Sequence, residues 1–340
     1  MTIETAATDS SRAWAWRLVR WSLLAIVLVV VGERASKLWE EGRTLGGEVH
    51  WQPAWLAAAA VAYLVGWLPS AWFWRRLLLR SGHAVDWPTL LRAYFCGHLG
   101  KYVPGKAGVL VIRAGLLKSS GVPASTAAWT ATWETVLAMG VGGLMGLGLA
   151  PWLLTEDVLA TLPAPLEAVG RQPLATSAVV AVLALGAFPW LTRLVTRMTR
   201  RLTDDDSTDL SVSTGQVLFG SMAMAVGWTC HGLSLWWTLE GLGVPPVSDC
   251  LGTTLAGMTA VAGLATALGF VAFFAPGGVG VREGVLIEGL SRSGIPLQPA
   301  VLGSVALRAV WLLAELVTSA ALYYGHRPSP PPIPTSDPPG

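Results

Sequence analysis

Charge is what this sequence has least of: 13% of its 340 residues are Asp, Glu, Lys or Arg, where a soluble domain carries about a quarter. Cysteine is nearly as scarce. Cys96, Cys230 and Cys250 lie in apolar surroundings at no metal-ligand spacing, which argues against a disulfide framework or a zinc site and for small buried hydrophobes. The five histidines, His50, His83, His98, His231 and His326, are scattered without pairing at ligand spacing, so neither a metal nor a cofactor is expected. No catalytic constellation of nucleophile and base stands out, and covalent chemistry is not expected. Together these shortages exclude a secreted domain, a nucleic-acid binder and a cytosolic enzyme.

What the sequence does have is apolar length. Hydrophobic residues make up 53% and the mean hydropathy is +0.53, values of an all-α polytopic membrane protein. A membrane-spanning helix takes about 20 mostly apolar residues. Seven stretches meet that length, near 14–32, 53–74, 125–149, 173–191, 215–241, 249–275 and 297–324. The first lacks a small-residue cleavage site and is expected to be a retained anchor. Many of the 18 tryptophans lie near the ends of these stretches, Trp14, Trp55, Trp74, Trp152 and Trp237 among them, as interfacial anchors would.

Basic residues place the loops. Arg12, Arg17 and Arg20, then Arg75, Arg76 and Arg80, then Arg193, Arg197, Arg200 and Arg201 mark the cytoplasmic side, with the N-terminus inside a cell (inner) membrane. On that reading residues 89–118 begin and end inside, so they form a re-entrant hairpin broken at Pro104 and Gly105, buried in protein or lining a wet cavity. Residues 1–326 are expected to be one transmembrane domain, followed by a disordered proline-rich tail over 327–340.

Two segments repeat one another. PGKAGVLVIRAGLLKSSGVP begins at Pro104 and PGGVGVREGVLIEGLSRSGIP at Pro276; each runs Pro-Gly-x-x-Gly, an apolar stretch, then Gly-x-Pro. Pro104 to Pro123 is 19 residues and Pro276 to Pro296 is 20, while Trp74 to Asp86 and Trp237 to Asp249 are both 12. The chain therefore divides into repeat one, about 53–150, and repeat two, about 215–324. Opposite entry sides would make them inverted, an arrangement found in carriers whose site lies at the repeat interface. Inversion requires 249–292 to be a second re-entrant hairpin, although 249–275 alone is long enough to cross.

The charges inside these stretches are the candidate site. Glu134 lies 11 residues past Pro123 and Arg308 lies 12 past Pro296, so corresponding helices carry opposite signs and the two can pair. A charge at mid-helix costs about 2.5–3.5 kcal/mol to insert and faces a bundle interior or polar pathway. Glu315 sits two turns beyond Arg308, an alternative partner. Broken helices expose backbone N–H groups, and Lys101, Lys106, Arg113 and Arg282 add positive charge, an anion-binding combination that suits a phospholipid head group. Pro104, Gly105, Pro276, Gly277, Gly278 and Gly280 supply turns and close backbone approach, and Glu283 joins them as a site residue that, like Glu134, would serve as base in a transferase. Gly100-x-x-x-x-Gly105-Lys106 falls short of a phosphate loop because residue 107 is Ala, and GGVGVREG misses the dinucleotide spacing. Gly142-x-x-x-Gly146 reads as a close-packing helix face.

LGKYVPGK followed by an Arg-containing apolar segment, together with APGGVGVREG, resembles the paired signatures of the lysylphosphatidylglycerol synthase transmembrane family, flippase-like integral membrane proteins. The resemblance spans about residues 14–325, and Glu134 and Arg308 sit where that family places a helix glutamate and a helix arginine. It implies a module that moves an aminoacylated phospholipid between leaflets while a separate soluble domain makes that lipid. Only the proline tail follows residue 325, so the synthase domain is expected to be absent. Other members are associated with hopanoid or polyprenyl-linked glycan pathways, which leaves the lipid open. The expected function is translocation of a phospholipid or lipid-linked substrate, with a membrane lipid and a lipid-synthesising protein as partners; the alternatives are a membrane-embedded lipid-modifying transferase, or its accessory subunit, and a scaffold acting through the tail.

Overall fold

In the computed structural model the described residues are 51–102, 107–184, 186, 213–245, 248, 250–272, 278 and 280–325, all within the compact unit Val49–Gly340. The stretch at 14–32, the basic loop at 193–201, the tail at 327–340 and Pro104, Gly105, Lys106, Pro276 and Gly277 lie outside them.

The described residues fold into helices without strands: α1 (Pro53–Arg80), α2 (Trp87–His98), α3 (Ala107–Leu117), α4 (Ala124–Leu149), α5 (Glu156–Thr161), α6 (Ala164–Gly170), α7 (Pro173–Ala184), α8 (Thr214–Glu240), α9 (Leu251–Val271), α10 (Val281–Arg292) and α11 (Leu297–Gly325). Four of them, α1, α4 (continued to Leu153), α9 and α11, are long and apolar enough to cross a membrane. Local chemistry sets the starts. Pro53 occupies the first turn of α1, where a missing N–H costs nothing. Asp86 accepts a hydrogen bond from the Thr89 N–H (3.1 Å) to open α2, and Ser213 with Gln216 forms a capping box on α8. At α10 the Glu283 carboxylate reaches back to the Gly280 N–H (2.6 Å), where Gly280 has φ +89°.

Packing follows small residues. α1 crosses α8 at Gly66 and Gly227; a Cβ on Gly227 would lie 2.3 Å from the Gly66 carbonyl oxygen, so only glycine permits this approach. Gly142 and Gly146 do the same for α4 against α8 and α9: a Cβ on Gly142 would meet the Trp228 ring at 2.4 Å, and one on Gly146 the Leu264 side chain at 2.6 Å. Trp228 then donates its indole N–H to the Ala138 carbonyl (2.8 Å). The short helices α2 and α3 pack on each other; α3 lies against α4, α10 against α9 and α11, and α11 against α2.

Two expectations change. Trp74 is fully buried rather than interfacial, because its indole N–H donates to Thr130 Oγ1 (3.0 Å) and its ring underlies a buried guanidinium. Of the cysteines, Cys96 is buried and Cys230 half-buried, but Cys250 is exposed, standing just ahead of α9.

A charged cavity opening through an apolar rim

Three ion pairs organise the interior, and none is the pairing of Glu134 with Arg308. Glu134, on α4, faces Arg113 on α3: the guanidinium donates to Oε2 at 2.7 Å and both side chains are almost wholly buried. Tyr94 Oη donates to the other oxygen at 2.9 Å and Thr135 adds a contact at 3.2 Å. The Arg113 guanidinium also lies 4.7 Å from the Trp74 ring centre and 4.3 Å from that of Tyr94. Arg308, on α11, donates instead to Glu283 of α10 at 2.9 Å, a pair that keeps some exposure. Glu315, fully buried, accepts from Lys101, from Tyr63 Oη and from Tyr102 Oη (3.1 Å). Glu134 and Arg308 separate because each finds its partner on the short helix just before its own.

Arg282 differs from these. It is 8% exposed, and its guanidinium stacks over Trp311 with 4.3 Å to the ring centre. Among the described residues it has neither a hydrogen-bond acceptor nor a carboxylate within ion-pair distance. A buried cation without a counter-charge is costly, by several kcal/mol in an apolar interior, so its retention needs a reason.

These side chains border a cavity of about 530 Å³. Its inner wall carries Tyr63, Trp67, His98, Lys101, Arg113, Glu134, Arg282 and Trp311, all buried or half-buried. Its outer edge carries Val109, Leu110, Thr132, Val136, Met139, Phe270 and Val271; Val136 is 45% exposed and Val271 74%. Gly278 lies against the same cavity with φ +72°, and a Cβ there would come within 2.9 Å of the Gly269 backbone. The volume falls within the roughly 300–1,000 Å³ of small-molecule sites. Among the described residues no group of three His, Cys, Asp or Glu could hold a metal ion.

Of the residues that sequence reasoning proposed, Lys101, Arg113, Glu134, Gly278 and Arg282 line the cavity, while Glu283, Arg308 and Glu315 hold charge just behind it and Gly280 caps α10. The aromatic wall was missed. Tyr63 and Trp311 stack at 4.4 Å and Trp67 meets His98 and His231 at 4.7 Å each, bringing together residues from α1, α2, α8 and α11. Gly66, whose Cβ would lie 2.7 Å from the His231 ring, was the local sign that something large approaches that face of α1.

A comparison with curated proteins finds no match. A family model does match: the lysylphosphatidylglycerol synthase TM region aligns with residues 14–317, most of the chain and all of the cavity. The short paired helices, the intramembrane charges and this match over nearly the full length agree, and the chain belongs to the lysylphosphatidylglycerol synthase transmembrane family of membrane proteins.

Proposed function

We propose that this protein moves a phospholipid or lipid-linked molecule between the leaflets of a cell membrane, with the head group in the cavity and the tails left in the bilayer. The observation that carries the reading is the division within one cavity: charged and aromatic groups line its buried wall, and mainly apolar side chains, Val136, Phe270 and Val271 exposed among them, form its rim. That polarity matches an amphipathic guest arriving sideways from the hydrocarbon layer. No covalent step belongs to the reading, and a lipid-synthesising protein would supply or receive the guest.

The arrangement of helices supports a duplicated, inverted plan with re-entrant segments. α2, with 12 residues, and α3, with 11, are each about 16–18 Å long, short of a hydrocarbon core of about 30 Å. α2 packs on α3 as α9 packs on α10; α3 packs on α4 as α10 packs on α11; α4 meets α9 as α11 meets α2. The ion pairs follow the same exchange with signs reversed: Arg113 on the short helix and Glu134 on the long one, against Glu283 on the short helix and Arg308 on the long one. A site between two such halves can be reached from either side in turn as they rock.

Leaflet-resolved quenching of fluorescent lipids in vesicles containing the purified chain tests the reading. Wild-type protein is expected to expose inner-leaflet label to an external quencher faster than protein-free vesicles, and Arg282→Ala to slow that movement by about tenfold, as loss of a charge-assisted contact would. Equal rates with and without protein, for every lipid tried, would refute it.

A further inference from the structure

Resting on that reading, we infer that the cavity selects a head group bearing one negative charge, rich in hydrogen-bond acceptors and lacking a positive charge of its own. The chemical class is a phosphodiester lipid with a hydroxylated, amine-free head, as distinct from an aminoacylated, zwitterionic or pyrophosphate-linked one.

A cationic head group needs an acidic side chain that is not already occupied, and each acid at the cavity is engaged. Glu134 holds Arg113, Tyr94 and Thr135. Glu315 holds Lys101, Tyr63 and Tyr102. Glu283 holds Arg308 and the Gly280 N–H. Releasing any of them to a guest ammonium would strand a protein cation in the interior, a cost of several kcal/mol.

Aromatic faces could receive a cation instead. They too are taken. Arg282 covers Trp311, Arg113 covers Trp74 and Tyr94, and Trp67 is ringed by Tyr63, His98, Trp228 and His231.

Next, among the described residues at the cavity the basic groups outnumber the acids. Lys101, Arg113 and Arg308 each face a carboxylate, and Arg282 remains over. One uncompensated guanidinium matches one negative charge. A pyrophosphate brings more than one, and the surplus would stay buried without a partner.

Last, the polar atoms left without partners ask for acceptors. The Trp67 Nε1–H, the Arg113 Nε–H, His98 Nδ1 and the Thr266 hydroxyl, all on residues lining the cavity, have no hydrogen-bond partner among the described residues. The first two can only donate and the other two can donate or accept. A buried donor without an acceptor costs about 1–3 kcal/mol, a debt that phosphate and hydroxyl oxygens remove and methylated ammonium groups do not.

The test measures binding, so that it can fail separately from transport. Purified full-length protein in detergent is titrated with dihexanoyl phosphatidylglycerol, dihexanoyl phosphatidylcholine, dihexanoyl phosphatidylethanolamine, a lysyl ester of the glycerol lipid and geranyl pyrophosphate, with the melting temperature as readout. The glycerol lipid is expected to bind at least tenfold more tightly than the other four. Arg282→Gln is expected to abolish that preference, Arg282→Lys to keep part of it, and Thr266→Val to weaken glycerol-lipid binding by a few-fold. Equal stabilisation by all five, tightest binding of the lysyl ester or the pyrophosphate, no stabilisation by any, or an unchanged preference in a folded Arg282→Gln protein would each overturn the inference. Selective binding without lipid movement in vesicles would leave the inference standing and remove the transport reading.

Discussion

The two pairings of a short helix with a long one use the same charges in opposite places. In the first, the cation Arg113 sits on short helix α3 and the anion Glu134 on long helix α4, both almost fully buried and surrounded by Tyr94, Trp74 and Thr135. In the second, the anion Glu283 sits on short helix α10 and the cation Arg308 on long helix α11, with side chains 25% and 11% exposed. The first pair is almost wholly buried; the second keeps more exposure, close to Gly280 and to Arg282, which has no ion-pair partner among the described residues. The arms differ as well: α2, which packs on α3, has 12 residues, whereas α9, which packs on α10, has 21 and is long and apolar enough to cross. Both pairings border the cavity region, Arg113 and Glu134 on its wall and Arg282, next to Glu283, on the other side.

If burial is what separates the pairs, the largest effect should come from the more buried one. Glu134→Gln strands the Arg113 guanidinium and should cost about 3–5 kcal/mol, visible as a large drop in melting temperature in detergent; adding Arg113→Gln should restore much of it. A smaller loss, about 1–3 kcal/mol, is expected from Gly100→Ala, because the new Cβ would sit 2.3 Å from the Gly108 and Val109 backbone and push α3 away from the turn before it. Glu283→Gln, at the half-open pair, should cost only about 1 kcal/mol; a loss as large as that of Glu134→Gln would erase the distinction between the pairs. The smallest change should follow Arg292→Ala, which breaks the surface pair with Glu288 and should shift stability by about 0.5 kcal/mol or less.

Much of this was legible in the sequence. The cost of a charge in a spanning helix marked Glu134, Arg308 and Glu315, and the Pro-Gly segments marked the two short helices after them. Pairing was not legible, since five candidate cations and three acids can combine in several ways; the packing of α3 on α4 and of α10 on α11 decides which of the described ones meet. The aromatic wall was hidden for another reason. Tyr63 and Trp67 lie one turn apart, but His231 and Trp311 are far from them along the chain, and tryptophans near helix ends have an adequate interfacial explanation, so nothing local distinguished the buried Trp74 from the exposed Trp55. Chain spacing suggested two matching segments, but the reversal of sign between the pairs needed the neighbours of each helix.

The central claim is that lipid passes by way of this cavity and not around the protein. Val136, half-exposed on the rim, can be enlarged outward without disturbing any ion pair. The decisive measurement is lipid movement between leaflets for Val136→Trp protein whose melting temperature equals that of the wild type. Passage through the cavity requires a fall of about tenfold or more, the effect of occluding a site that must hold the head group; an unchanged rate in the folded variant would contradict the account.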